Sequence, residues 1–470
     1  MKGSEYHKKT SYVRGRIGGG WWERGDSPSI FKSYRGVPSI SLPRDITFPP
    51  TTFADILCHR SNRTLHQSPF SLTSLSVFLF LSYGITAVLR DERFSFRAVP
   101  SAGALYPAEL YIAVSGVKDL RSGIYHYNPA LHSLTEIARI EETGSSRPFL
   151  QVFVTGIFYR SSSKYRERAF RYVLLDSGHL IEQAFLAGQA VGFRPVASTG
   201  MSLPSGISSW EDLLCVDPQH EIVLGTVVFE NLPDYDGLSY DIEPDHLRSF
   251  SKVAKRCPVP PVILEVSSRT AGRIFDAGEK VDHKLVPPDS LKSLDEPFAK
   301  ITLSRRSRRN FFRRTLNYEA VLSFAGTLRP LICENLRLFL VVERCDEKFT
   351  NGAYELLPTD NSVELRPLKQ GALLSRLARA CLDQMWLADA VIHVLIVASL
   401  RDAEERSGAS SYRNILLQAG RLGQRVYLTA EALKLGCCGI GAFYDDELRE
   451  VIDLPPEWNV LYLLGVGIIS

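Results

Sequence analysis

Residues 170–191 read FRYVLLDSGHLIEQAFLAGQAV, and residues 412–433 read YRNILLQAGRLGQRVYLTAEAL. The two stretches align without a gap at an offset of 412 − 170 = 242 residues. Arg171 meets Arg413, Leu174 meets Leu416, Leu175 meets Leu417 and Gly178 meets Gly420; further on, Leu180 meets Leu422, Leu186 meets Leu428 and Ala190 meets Ala432. An internal repeat of this kind constrains the architecture before any local reading does. In the first copy Phe170, Val173, Leu174, Leu180, Ile181 and Ala184 lie along one broad helical stripe. Tyr412, Ile415, Leu416, Leu422 and Val426 do the same in the second. Gly178, Gly188, Gly420 and Gly423 would let another helix approach closely. Taken alone, such a stripe means core and carries no functional information.

Working outward, other pieces recur in the same order. CHRSNR (58–63) resembles SRRSRRNF (304–311), and GIYHYNP (123–129) resembles GAYELLP (352–358). Each glycine tripeptide follows a strand-like run, LYIAV (110–114) and LRLFLVV (336–342). QVFVTGIFY (151–159) is matched by VIHVLIVASL (391–400). Each half therefore reads as helices, strand, turn, strand, helices and a final strand, an α+β layer structure in two tandem copies. A length of 470 residues with 45% hydrophobic content supplies enough apolar material for two such cores. The pattern divides the chain into an arm (1–50), a first domain (51–231), a proline-rich linker (232–297) and a second domain (298–470). The linker holds CPVPP and VPPDS, whose prolines cannot continue helices or central strands. The arm carries Trp21, Trp22, Phe31 and Tyr34 and is expected to wrap a folded surface.

The bulk properties exclude several classes. A formal net charge of +3 over this length gives no reason to expect a nucleic-acid partner. Eight cysteines without a CxxC pair suit a reducing cytoplasm rather than a disulfide scaffold. The neighbours Cys437 and Cys438 invite a redox reading, but adjacent cysteines rarely form a relaxed disulfide. The polar opening MKGSEYHKKT does not read as a signal peptide. The uncharged stretch 71–89 is about long enough to span a bilayer, yet its serines, threonines and glycine favour a helix buried in protein. No membrane association is expected.

Four features could carry chemistry. The SRRSRR cluster sets Arg305, Arg306, Ser307, Arg308 and Arg309 in a row, which suits a phosphate as well as a solvated basic helix start. PSAGALYPAELY (100–111) places small residues where a ring could lie against backbone, or simply makes a tight turn into a strand. GCCGIGAF (436–443) could offer backbone amides to a phosphate or ring nitrogen, but it is not a GxGxxG fingerprint. Lys164 and Tyr165, expected on a loop between a strand and the repeated helix, form either a proton-handling pair in a cleft or surface charge. At the repeat offset they face Arg406 and Ser407, so the second half lacks the pair. The sequence holds no Walker loop, zinc spacing, GxSxG or convincing Ser-His-Asp set.

PSAGALYPAELYIAV, GIYHYNP, SKYRERAFRYVLLDSGH and GIGAFYDDEL together resemble the SagB-type dehydrogenases of the nitroreductase superfamily, and SRRSRRNF resembles the basic opening motif of nitroreductases generally. The resemblance runs from about Tyr6 to the end, in two copies. It implies two tandem nitroreductase-like domains forming an intramolecular pseudo-dimer, with FMN at their interface and hydride passing from a small or peptide-derived heterocycle to flavin N5, as in azoline oxidation. Under it, Arg305, Ser307 and Arg309 serve the ribityl and phosphate. Gly441 and Ala442 supply backbone near N5. Pro100, Ser101, Ala102 and Gly103 cover the flavin, and Lys164 with Tyr165 removes the substrate proton. Arg166 departs from the family pattern, where glycine is frequent. The reciprocal site, His59, Ser61 and Arg63 with RPVASTG (194–200) and FAGTLRPL (324–331), looks degraded, which implies one FMN per chain. The alternatives are an NAD(P)H-dependent nitroreductase or quinone reductase, and a flavin-free scaffold.

Overall fold

The computed structural model describes all residues except 18–24, 59–69, 90–94, 142–146, 198–201, 279–290, 292–293, 347–348, 360–361 and 470. The two stretches quoted above are helices Ala169–Ala190 and Ser411–Ala432. Their bounds differ by the repeat offset at both ends (411 − 169 = 242 and 432 − 190 = 242). They cross at the two glycines. A Cβ on Gly178 would lie 2.1 Å from the Leu417 carbonyl oxygen, and one on Gly420 would lie 2.2 Å from that of Leu175. Leu175 and Leu417 are themselves repeat mates, so the contact is self-complementary, as at a twofold subunit interface.

Polar pairs next to the crossing are buried and asymmetric. Glu182 accepts from Arg421 Nε at 2.9 Å and from Arg425, and Gln424 Nε2 donates to Gln183 Oε1 at 2.7 Å. Buried charges persist only where they are paired and hydrogen-bonded in this way.

Each half wraps its helix with a sheet of the same order. In the first half the strands run Ser133–Arg139, Gly123–Asn128, Ala108–Ser115, Phe149–Ile157, Glu221–Phe229, with Pro195–Val196 beside the last. In the second they run Val363–Gln370, Gly352–Pro358, Arg337–Val342, Ile392–Ala398, Asn459–Ile468, Leu435–Ile440. All of these pairings are antiparallel. The buried strands alternate little, because helices cover one face and loops the other.

Three local expectations change. The uncharged stretch 71–89 is a buried helix only over Leu72–Tyr83; it stops at Gly84, and Ile85–Val88 form a strand. No described helix is long and apolar enough to cross a membrane. The proline-rich stretch carries helices Pro244–Ser249 and Pro261–Arg269, each opening on proline, where no intrahelical N–H is required. The arm is anchored by charge as well as by aromatic packing: Lys32, with a fully buried side chain, pairs with Glu221 at 2.5 Å. Trp21 and Trp22 lie outside the described residues.

The second of those helices extends the repeat. Glu5 to Thr10, at the end of the opening helix Gly3–Lys9 and its C-cap, and Glu265 to Thr270, at the end of Pro261–Arg269 and its C-cap, are related by 260 residues (270 − 10 = 260). Arg171 donates through Nε to Thr10 Oγ1 (3.0 Å) and through Nη2 to the His7 carbonyl. Its mate Arg413 donates through Nε to Thr270 Oγ1 (3.1 Å) and through Nη2 to the Ser267 carbonyl. Each long helix thus holds an equivalent opening helix by the same two hydrogen bonds. Beyond it, Phe275–Asp276 joins the first sheet parallel to Glu221–Phe229, which ties the connector to the first half.

Candidate active site between the two halves

A cleft opens where the N-terminal part of helix Ala169–Ala190 faces the second half. Its first-half wall is the Pro100–Gly103 turn with Tyr165, Tyr172 and Asp176. Its second-half wall is Ser307, Arg309 and the Gly439–Ala442 backbone. The structure therefore brings together Pro100, Ser101, Ala102, Gly103, Tyr165, Ser307, Arg309, Gly441 and Ala442, drawn from segments up to 342 residues apart (442 − 100 = 342).

The Pro100–Gly103 turn is held from the long helix. Ser101 Oγ donates to Asp176 Oδ2 at 2.5 Å, and Ala102 N donates to the same oxygen at 3.1 Å. Ser101 Oγ in turn accepts from Tyr106 N at 2.8 Å. Gly103 has φ +66°, and a Cβ there would lie 2.8 Å from Tyr165 Oη and 2.9 Å from Lys164 Nζ. The positive φ favours glycine at this position. Ala104 and Tyr106 also take positive φ, at 55° and 46°. A run of such residues costs of order 1–2 kcal/mol each and persists where the surroundings impose it.

Lys164 and Tyr165 are in the last turn of helix Phe158–Tyr165, not in a loop. Lys164 is exposed and is not among the residues that line the cleft. Tyr165 is half-buried and packs on Tyr172 with ring centroids 4.2 Å apart. Burial, reinforced by Asp176, pushes the Tyr165 phenol above its ordinary value, so it keeps its proton. The helix is set by Arg160, whose Nη1 contacts Glu109 Oε1 at 2.6 Å and donates to the Tyr106 carbonyl at 2.7 Å. Arg166, just after the pair, has φ +52° and ψ −133°. That is a region suited to glycine, so the family's glycine and this chain's arginine occupy a demanding backbone position.

In the second half, Tyr427 organises the wall. Its hydroxyl pairs with Ser307 Oγ at 2.9 Å and accepts from Gly439 N at 2.7 Å. The GCCGIG run, read above as an amide-rich segment, is mostly strand Leu435–Ile440, and only Gly441 onward leaves the sheet. The first half pins that exit. The Gly441 carbonyl accepts from Arg168 Nη2 (3.1 Å) and Tyr172 Oη (3.2 Å). Asp445 pairs with Arg168 and Arg171, each at 2.7 Å. Burial alone would raise the Asp445 carboxyl, but the two guanidiniums outweigh it and hold the group well below the usual carboxylate range.

Arg305 is placed differently from the other candidates. It is buried behind the wall and donates through Nε to the Ala98 carbonyl (2.9 Å) and through Nη2 to that of Arg97 (3.0 Å). Its Nη1 is buried without a partner. Cys437 and Cys438 are free, and burial pushes both thiols up. Asp176, Tyr172 and Tyr427 belong to the cleft and were missed in the sequence. The only signal for Asp176 was a single acid within an otherwise apolar turn of the repeated helix, facing Gln418 in the other copy.

The residues fit the FMN that the resemblance implies. An arginine and an exposed hydroxyl, Arg309 and Ser307, face one end of the cleft, and the spare guanidinium N–H of Arg305 is buried behind them. At the other, the Gly441 backbone lies close against an aromatic ring, where a Cβ would lie 2.5 Å from Tyr172, and the Gly103 backbone faces Tyr165 Oη and Lys164 Nζ. A reciprocal site lacks its turn. Phe324–Leu331 is the end of helix Tyr318–Leu328 and a 3-10 turn. Eight residues separate that helix from strand Arg337–Val342 (337 − 328 − 1 = 8), against 24 from Tyr83 to Ala108 in the first half (108 − 83 − 1 = 24). His59, Ser61, Arg63 and the end of RPVASTG lie outside the described residues.

The nitroreductase family model matches residues 333–468. A candidate nitroreductase of Methanocaldococcus jannaschii is 34% identical over 154 residues, covering 30% of this chain and 75% of the relative. The trifolitoxin-processing protein of Rhizobium leguminosarum bv. trifolii is 33% identical over 28% of this chain, and the microcin B17-processing protein of Escherichia coli is 28% identical over 21%. The aligned parts span 39% and 42% of those two relatives. A crystal structure of a candidate nitroreductase from Anabaena variabilis aligns with all of this chain and 99% of its own, at TM-score 0.71 and 25% identity. The chain belongs to the nitroreductase family, with both α+β halves in one polypeptide.

Proposed function

We propose that this protein is an FMN-dependent oxidoreductase with one composite site per chain, oxidising a heterocyclic, peptide-derived substrate of the azoline type. The observation that carries the reading is the approach of Lys164 Nζ and Tyr165 Oη to Gly103, which lines a cleft whose opposite wall is Ser307, Arg309 and Gly441. FMN, when bound, would accept the hydride at N5. Ser307 and Arg309 would hold its phosphate and ribityl chain, with the spare Nη1 of Arg305 behind them. Gly441 and Ala442 would present backbone to the ring, and the Pro100–Gly103 turn would cover it. Lys164 would take the substrate proton, and its exposure lets that proton pass to solvent. Tyr165 would keep its own proton and orient the substrate by donating it.

The names of the trifolitoxin- and microcin-processing relatives support a peptide-derived substrate. We take 51–231 and 298–470 as the two catalytic-type domains, 1–50 as an arm, and 232–297 as a connector that includes the second opening helix. Eight cysteines with no disulfide among the described residues support a cytoplasmic setting. The decisive experiment combines flavin quantitation with turnover of an azoline-containing peptide. We expect one FMN per chain, and a loss of roughly 10²–10⁴-fold in turnover for Lys164→Ala with FMN retained. Unchanged turnover in that variant sinks the base assignment, and two tightly held FMN per chain sink the single composite site. The nitroreductase-type relative from M. jannaschii supports a second reading, an NAD(P)H-dependent reductase. Rapid bleaching of the flavin by NADPH would select it, and a colourless protein that takes up no FMN would select a scaffold.

A further inference from the structure

Resting on the flavin reading above, we infer that Asp176 is a positioning residue, whose ionised carboxylate holds the Pro100–Gly103 turn against the cofactor and, through Gly103, sets the Lys164–Tyr165 pair. Asp176 is 7% exposed and lines the cleft. The Ser101 hydroxyl accepts from Tyr106 N and turns its single proton to Asp176 Oδ2. Ala102 N can only donate, and it donates to the same oxygen. The same amide also reaches Oδ1 at 3.3 Å, so a proton on either carboxylate oxygen would compete with this obligatory donor. One residue further on, Gly103 is the point where Lys164 Nζ and Tyr165 Oη approach the turn. The acid occurs only in the half that carries the turn. Its repeat mate Gln418 instead donates to the Leu331 carbonyl at 2.9 Å, and no equivalent turn is there.

The carboxyl is poised to titrate where its neighbours are not. Burial pushes Asp176 up to about 7, against the pull of the Ser101 and Ala102 hydrogen bonds. On its own helix, Tyr172 is held above its ordinary value by burial, and His179 is depressed by burial to about 3. Tyr165, Tyr427 and Tyr462, from the other walls, are raised by burial, as is Cys438. Among the described residues, Arg309 is the other charged group lining the cleft, and the exposed Lys164 meets the turn at Gly103. The ionised form holds the turn, so acidification through neutrality loosens it and alkaline conditions secure it.

The test is FMN affinity of the full-length chain, read by quenching of flavin fluorescence from about pH 5 to 9, in wild type, Asp176→Asn and Ser101→Ala. The cofactor phosphate titrates near pH 6 in every variant, so the difference between profiles isolates the carboxyl. We expect wild-type affinity to weaken by up to about tenfold per pH unit below the carboxyl midpoint. Asp176→Asn should lose that one-proton step. Ser101→Ala should move the midpoint upward, because it removes a hydrogen bond that favours the ionised form. Matching pH profiles for wild type and Asp176→Asn overturn the inference while leaving the flavin reading intact. If Asp176→Asn does not fold, the Ser101→Ala midpoint decides, and an unmoved midpoint overturns the inference. A wild-type chain that binds no FMN at any pH overturns the flavin reading and this inference together.

Discussion

Gly178→Ala tests whether the glycine crossing holds the two halves in register. The added Cβ would lie 2.1 Å from the Leu417 carbonyl oxygen and 2.8 Å from the Gly420 Cα. An ordinary C···O contact is about 3.3 Å, so the helices must separate by about 1.2 Å. Backbone is on both sides, so no rotamer change relieves the contact. A gap of 0.5–1 Å already forfeits about a quarter to a half of each dispersion contact it opens, and overpacking of a filled core costs about 1–3 kcal/mol. Helix propensity returns about 1 kcal/mol to alanine. The separation also pulls at the Glu182–Arg421–Arg425 cluster. The expected net destabilisation is about 1–2 kcal/mol, the upper half of what that balance leaves. Urea unfolding of wild type, Gly178→Ala, Gly420→Ala and the double variant measures it. The double variant should cost less than the sum, because both changes open the same gap. FMN affinity should fall in parallel, since the cleft lies between the halves. A Gly178→Ala variant as stable as wild type, with unchanged FMN affinity, refutes the reasoning.

Asp445→Asn should cost about 3–5 kcal/mol and loosen the cleft, because it leaves Arg168 and Arg171 buried without a counter-charge; thermal and urea unfolding read this out. The folded-state value of Asp445 is depressed, so its contribution is complete above the ordinary carboxylate range and is lost only as pH falls below it. The stability difference between wild type and Asp445→Asn should therefore be flat from neutral pH down to about 4 and shrink only below that. Arg166→Gly should stabilise by about 1 kcal/mol, the relief of a positive-φ residue less the unfolded-state entropy of glycine, and a lower urea midpoint would contradict it. Tyr427→Phe removes the acceptor of Gly439 N and the partner of Ser307, and FMN affinity should fall by about tenfold in equilibrium titration.

The repeat was legible because helical periodicity and spacing survive sequence divergence: both long helices begin and end at the offset read from the letters alone. The matched strands Gly123–Asn128 and Gly352–Pro358, and Phe149–Ile157 and Ile392–Ala398, occupy equivalent places in their sheets. Local environment was less legible. Lys164 and Tyr165 read as a loop because SSSKYR has weak helix propensity, but the buried Arg160 contacts hold it as helix. GCCGIG read as an open glycine segment, yet its glycines serve close packing in a strand, where a Cβ on Gly439 would lie 1.9 Å from Tyr462 Oη. Arg305 read as a cleft cation and proved to be tied to the carbonyls of Arg97 and Ala98. The second opening helix escaped notice because its offset of 260 differs from 242, the connector having a different length.

The sequence by itself determined that the chain is two copies of one α+β unit and which copy keeps each motif, because periodicity and residue order are properties of the chain alone. Only the tertiary structure decided that the crossing of the two long helices at Gly178 and Gly420 sets the first half's turn and Lys164–Tyr165 pair opposite the second half's Ser307, Arg309 and Gly441. It also decided that Asp176 faces the cleft rather than the core. Which face of an apolar helix meets a partner, and which buried acid finds donors there, depends on atoms more than seventy residues distant in the chain (176 − 102 = 74). That information is not in any local window of sequence.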